Sequence, residues 1–276
     1  MVALHRPPRS YLFVPGDRPE RFAKAWDSNA DAVILDLEDA VAPQDKDAAR
    51  AAVAAWLSAE RPVWVRINAC DTAAFEADLQ LIGRPGLAGL MVPKAEALPP
   101  ALLAAATAAD CPVLALVETA RGIALAQEIA RTPGVARLAF GSIDFQADLG
   151  IESEEGLLPF RSMLVLASRL AGLPPPVDGV CTALDDATVL DADSRRSRAL
   201  GFGGRLCIHP KQVGPVHAAW APTPAEQAWA RRVVEAMDAS GGSAVRVDGK
   251  MVDQPVLIRA RQWLDAADTG RRPRGG

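Results

Sequence analysis

The chain has 276 residues, half of them hydrophobic and 23% charged, with a formal net charge of -4. That balance supplies a buried core and excludes a disordered chain. It also argues against a nucleic-acid binder, which would gather a basic surplus on one face. No apolar run approaches the ~18 residues of a membrane span, and residues 1–10 lack the apolar stretch of a signal peptide, so a cytosolic protein is expected. Cys70, Cys111, Cys181 and Cys207 have no paired spacing that would suggest zinc, and read as free, mostly buried thiols.

Eight segments of strand length are predicted in chain order: Ser10 to Pro15, Ala32 to Leu37, Val63 to Ile67, Gly89 to Pro93, Pro112 to Val117, Arg137 to Phe140, Val177 to Cys181 and Arg205 to Ile208. Most are continuous apolar runs, as in Val33-Ile34-Leu35, which is the pattern of parallel strands buried on both faces. Between them lie helix-competent stretches such as Pro19 to Asn29, Lys46 to Ala59, Leu98 to Ala109, Ile123 to Arg131 and Leu157 to Ala171. Eight alternations of strand and helix predict an α/β fold, a TIM (β/α)8 barrel. A doubly wound sheet would carry a Gly-rich turn after its first strand, whereas this turn reads Pro15-Gly16-Asp17-Arg18-Pro19.

The barrel is expected to occupy residues 1–212. Residues 213–268 then form a C-terminal helical extension or lid: a helix over Pro224 to Ala239, a break at Gly241-Gly242, a strand-like Val245-Arg246-Val247 and a last helix around Pro255 to Ala267. The extension is expected to pack over its own barrel or a neighbour's. Residues 269–276, with three arginines, read as a disordered tail.

Active sites of such barrels sit at the C-terminal strand ends. There the chain places Asp36-Leu37-Glu38-Asp39, Arg66-Ile67-Asn68, Lys94 and Glu96, Glu118, Asp144, Asp185-Asp186 and His209. Glu118 and Asp144 follow adjacent strands, and two converging carboxylates with few His or Cys nearby suit a hard cation such as Mg²⁺. The plainer alternative is that each acid caps the next helix. Arg66 in a mouth of carboxylates either grips a substrate carboxylate or enolate oxygen, or pairs structurally with Glu38 or Asp36. A Schiff-base role for Lys94 is redundant beside a magnesium site, so it reads as an ion-pair partner of the acids, and His209 reads more readily as a helix-start residue than as a catalyst.

Taken together, Arg9-Ser10-Tyr11-Leu12-Phe13-Val14-Pro15-Gly16, Leu35-Asp36-Leu37-Glu38-Asp39-Ala40-Val41, Val65-Arg66-Ile67-Asn68, Val92-Pro93-Lys94-Ala95-Glu96, Val117-Glu118-Thr119-Ala120-Arg121-Gly122, Ala147-Asp148-Leu149-Gly150 and Ile208-His209-Pro210 resemble the citrate lyase β-subunit-like family of the HpcH/HpaI aldolase superfamily. The resemblance runs from Arg9 to about Leu264. It implies a magnesium-dependent carbon-carbon lyase acting on 3-hydroxyacyl thioesters of the malyl-, citramalyl- or citryl-CoA type, assembled as a homo-oligomer, a trimer or a hexamer of two trimers. Carried over by position, it implies metal ligands at Glu118 and Asp144, with Glu38 and Asp39 around metal-bound water. It likewise implies a substrate arginine at Arg66 and a thioester channel lined by Phe13, Arg18 and Lys24 opposite Ile208 and His209. The run Asp248 to Pro255 is similar to the family's lid, and its acid falls on Asp253, the expected proton handler. Ile143, where relatives often have Glu, and Cys181 and Ala183, where many have Tyr and Asp, depart from the pattern and bear on the acyl pocket. Two alternatives are a citryl-acyl-carrier lyase subunit of a citrate lyase complex and a non-catalytic acyl-CoA-binding protein of the same fold.

Overall fold

The computed structural model describes residues 7–269. Eight strands, β1 (Ser10–Pro15), β2 (Ala32–Asp36), β3 (Val63–Arg66), β4 (Leu87–Val92), β5 (Val113–Val117), β6 (Val135–Phe140), β7 (Val177–Asp178) and β8 (Gly204–Cys207), close into a barrel in sequence order. Every neighbouring pair is parallel, and β8 returns to β1. The predicted TIM barrel is therefore the fold. Continuous apolar strands are required because each faces a packed interior on one side and helices on the other. Tyr11, Ile34, Met91, Leu114, Leu116, Val177 and Leu206 fill the inside. Trp64 packs edge-on against Tyr11 with centroids 6.0 Å apart, and Gly89 makes room for it, since a Cβ there would lie 2.4 Å from the indole.

Local signals set the helix starts. Thr119 accepts the Gly122 N–H, Ser153 the Gly156 N–H and Asp186 the Thr188 and Val189 N–H groups, so each leads its helix by capping orphan backbone donors. The single helix expected over Ile123 to Arg131 is two, Ala120–Ala124 and Ala126–Arg131, because the capped Thr119 starts it earlier and Leu125 leaves helical geometry. The seventh strand is shorter than its apolar run suggests. Asp178 takes the Gly179 N–H onto its own Oδ1 at 2.8 Å, which removes that donor from the ladder.

The chain divides into two units, one through His217 and one from Ala218. In the second, Thr223 and Glu226 form a capping box at the start of helix Pro224–Ala239. A hairpin of β9 (Val245–Val247) and β10 (Lys250–Val252) turns at Asp248 and Gly249, both at positive φ, and helix Gln254–Thr269 follows. Val233, Met237, Val252, Leu257 and Ala260 form this unit's own core. Residues 270–276 of the expected tail lie outside the described residues. No helix among the described residues is long and apolar enough to cross a membrane.

Candidate active site

A cavity of about 420 Å³ opens at the C-terminal strand ends. Its polar lining is Asp36, Asp39, Arg66, Glu118, Ser142 and Asp144, and Phe13, Phe140, Ile143 and Ile208 stand among its apolar walls. β5 delivers Glu118, which is 2% exposed. Its Oε1 accepts the Lys94 backbone N–H at 2.7 Å, and its Oε2 leans on Gly141, where a Cβ would lie only 2.3 Å away. Burial and the nearby charge of Asp144 push the Glu118 carboxyl up to about 8. Asp144 itself is exposed on the first turn of helix Ser142–Leu149.

Strand register brings Arg66 opposite Asp36. Their side chains form a bidentate pair, Nε to Oδ1 at 2.7 Å and Nη2 to Oδ2 at 2.6 Å, while Nη1 faces Glu38 Oε2 at 2.9 Å. The guanidinium lies 4.9 Å from the Phe13 ring centroid. Burial opposes its charge, yet the pair with Asp36 raises its pKa above the ordinary arginine value. Burial also raises the Glu38 carboxyl, against the pull of Arg66. Lys94 Nζ reaches Glu38 at 3.1 Å, forming the expected ion pair with the acid cluster.

Among the sequence candidates, Phe13, Asp39, Arg66, Glu118, Asp144 and Ile208 line one cavity. Glu38 lies behind them, 4% exposed, and borders a neighbouring cavity of about 500 Å³ with Lys94. Arg18 borders a different depression beside Asp17 and Asp45, and Lys24 is exposed on helix Phe22–Trp26; neither lines the main cavity. His209 caps the turn Pro210–Gln212, with Nδ1 accepting the Lys211 N–H at 3.0 Å. The seventh strand end is corrected: Asp186 is an exposed helix cap outside the cavity lining. Asp253 lies in the second unit, between β10 and helix Gln254–Thr269, and its carbonyl accepts the Leu257 N–H at 3.0 Å. Asp36, expected from the sequence only as a strand-end acid and a possible partner of Arg66, lines the cavity and orients the guanidinium. Its signal was the spacing of Asp36 and Glu38, two apart on one strand end beside a strand that ends in arginine.

Chemically, a buried carboxylate this hard to ionise, facing a second one, fits a cation between them. Among the described residues no group of three or more His, Cys, Asp or Glu could hold a metal ion unaided. Two carboxylates with the remaining positions left to water and ligand oxygens suit a hard divalent ion rather than zinc.

The HpcH/HpaI aldolase/citrate lyase family pattern matches residues 9–210. A citrate lyase subunit beta-like protein of Deinococcus radiodurans is 41% identical, covering 93% of this chain and 96% of its own. A (3S)-malyl-CoA thioesterase of Cereibacter sphaeroides is 35% identical over 95% of each. Among solved structures, protein CitE from Mycobacterium tuberculosis in complex with magnesium, acetoacetate and coenzyme A superposes with a TM-score of 0.84 at 39% identity, over 95% of this chain and 99% of that one.

Proposed function

The chain belongs to the HpcH/HpaI aldolase/citrate lyase family, and from that premise we propose that it is a magnesium-dependent carbon-carbon lyase. Its substrate is a 3-hydroxyacyl-CoA thioester of the malyl, citramalyl or citryl type, split into an acetyl thioester and a 2-oxo acid. The observation that carries the reading is Glu118, buried and pushed up to about 8 beside Asp144 at the mouth of the barrel. The magnesium and coenzyme A bound by the Mycobacterium tuberculosis relative support it.

Glu118 and Asp144 would hold Mg²⁺, which when bound supplies Lewis acidity and a template for substrate oxygens. Lys94 keeps Glu118 in place through its N–H, and Gly141 leaves the carboxylate its space. Bond cleavage turns the substrate hydroxyl into a carbonyl, releases its proton and leaves an enolate on the thioester. Arg66 spends its Nε/Nη2 edge on Asp36 and faces Glu38 Oε2 with Nη1, so the guanidinium N–H groups left over from these pairs are the part that would stabilise the negative oxygen. Asp36 thus orients the guanidinium. Asp253 on the C-terminal unit would handle the proton, reaching the site of a neighbouring subunit within a trimer or a hexamer of two trimers. Phe13 and Ile208 would border the thioester, and Glu38 and Asp39 would hold water near the cation.

The test is incubation of the pure protein with Mg²⁺ and malyl-, citramalyl- and citryl-CoA, with products identified by mass spectrometry. Acetyl-CoA with the matching 2-oxo acid is expected, and none after chelation of the metal. Free coenzyme A without acetyl-CoA would instead assign thioester hydrolysis, the activity in the name of the Cereibacter sphaeroides relative. Cleavage of a carrier-protein thioester alone would assign a citrate lyase subunit.

A further inference from the structure

Behind the cavity wall that carries Asp144, the barrel is closed by little backbone. β7 meets β6 at one position, Ala139 opposite Val177, and β8 at two. A buried ionic network stands where the ladder is thin. Arg161, 1% exposed on helix Glu154–Leu170, donates through Nε to both carboxylate oxygens of Asp178, at 3.0 and 3.2 Å, and through Nη1 to Glu154 at 2.9 Å. Asp178 also accepts the Gly179 N–H and the hydroxyl of Ser197. Arg205 joins from the opposite side, donating to Ser197 Oγ at 3.1 Å and facing Asp193 at 3.5 Å.

Two contacts carry this network into the cavity wall. The Arg161 guanidinium lies 5.5 Å from the ring centroid of Phe140, which lines the cavity. Gly179, tied to Asp178, lies directly against Ser142: a Cβ there would come 2.2 Å from Ser142 Oγ and 3.1 Å from the Phe140 carbonyl oxygen. Ser142 is the first residue of the helix whose opening turn holds Asp144.

We propose that Arg161 is a positioning residue: through Asp178 and Gly179 it fixes Phe140 and Ser142, and so sets where Asp144 presents its carboxylate to a divalent cation. The inference rests on Glu118 and Asp144 being the cation ligands. Its physical basis is the planar, permanently charged guanidinium, which locks a carboxylate and an aromatic face at once where an ammonium holds one point. Groups standing behind metal ligands set affinity by orientation, and a loosened shell misplaces the ligand.

Arg205 supplies the internal comparison, since it shares the network while its partners lie on helix Ala187–Leu200. Full-length Arg161→Met, Arg161→Lys and Arg205→Met proteins are compared for urea midpoint, Mg²⁺ binding by calorimetry, and hydrogen exchange of peptides covering residues 140–149. Arg161→Met is expected to weaken Mg²⁺ binding by about tenfold or more and to speed exchange in that segment. Arg161→Lys should recover part of both. Arg205→Met should lower the midpoint alone. Unchanged affinity and exchange in Arg161→Met, or equal losses in Arg205→Met, would overturn the proposal. If Arg161→Met does not fold, Arg161→Lys against Arg205→Met decides on the same readouts. If Asp144→Asn leaves Mg²⁺ binding unaltered, the cation assignment fails, and the exchange measurements still decide the positioning role.

Discussion

Lys94 donates its backbone N–H to Glu118 Oε1 at 2.7 Å from a left-handed conformation, φ 48°. A residue that is not glycine holds this backbone only where the surroundings enforce it. Here the reward is a hydrogen bond that satisfies a buried carboxyl oxygen and favours the ionised form that burial and Asp144 oppose.

The first prediction is a pH dependence. A carboxyl raised to about 8 keeps its proton in the folded state well above the range where an unfolded Glu has lost it. Its contribution to metal-free stability is therefore present below the unfolded pKa and is lost as pH rises through about 8. Mg²⁺ displaces that proton, so its affinity should strengthen as pH rises and level off above about 8. Calorimetry in two buffers across this range reads both affinity and proton release. Glu118→Gln should abolish the pH dependence together with most of the affinity.

Arg66→Lys should leave the barrel folded and reduce kcat/KM by at least about a hundredfold, or roughly 2.7 kcal/mol. A lysine cannot span both Asp36 oxygens and still present a charge to substrate. Leaving Asp36, 2% exposed, short of one donor should also lower stability by about 1–3 kcal/mol. Steady-state kinetics with urea melts separate the two effects, and near-wild-type turnover would return Arg66 to a purely structural role.

Gly141→Ala should act on the metal site without touching any charge. The added methyl would stand 2.3 Å from Glu118 Oε2 and 2.5 Å from its Cβ, so the carboxylate must move. Overpacking of this kind costs about 1–3 kcal/mol. The expected result is a folded protein with Mg²⁺ affinity reduced by about tenfold or more. An unchanged binding isotherm would show that Glu118 does not need its present position.

Asp253→Asn should spare folding and Mg²⁺ binding and slow turnover. Chains carrying Asp253→Asn mixed with chains carrying Glu118→Gln should recover part of the activity if the acid serves a neighbouring subunit. Demonstrably mixed oligomers with no recovery, or full activity in a monomer, would remove Asp253 from the reaction.

The eight strands were readable because a parallel strand buried on both faces must be apolar along its length, as Val33-Ile34-Leu35 and Val113 to Val117 are. The helix start after Thr223 was likewise legible, whereas those after Thr119 and Asp186 were not expected where they fall, although each is set locally by a side chain that accepts backbone N–H groups within three residues. The order of strand-end acids, with Glu118 just after β5 and Asp144 on the helix turn that follows β6, its neighbour, follows from the barrel's topology alone. Tertiary structure decided the rest. Register set Asp36 against Arg66 and committed one edge of its fork, a choice between Asp36 and Glu38 that sequence spacing leaves open. Closure of the barrel brought Gly141 and the Lys94 N–H onto the Glu118 carboxylate from neighbouring strand ends, contacts that no local pattern encodes. The buried pair of Arg161 and Asp178 cut the seventh strand to two residues, because a charge inside the protein takes the hydrogen bonds it needs before the sheet does.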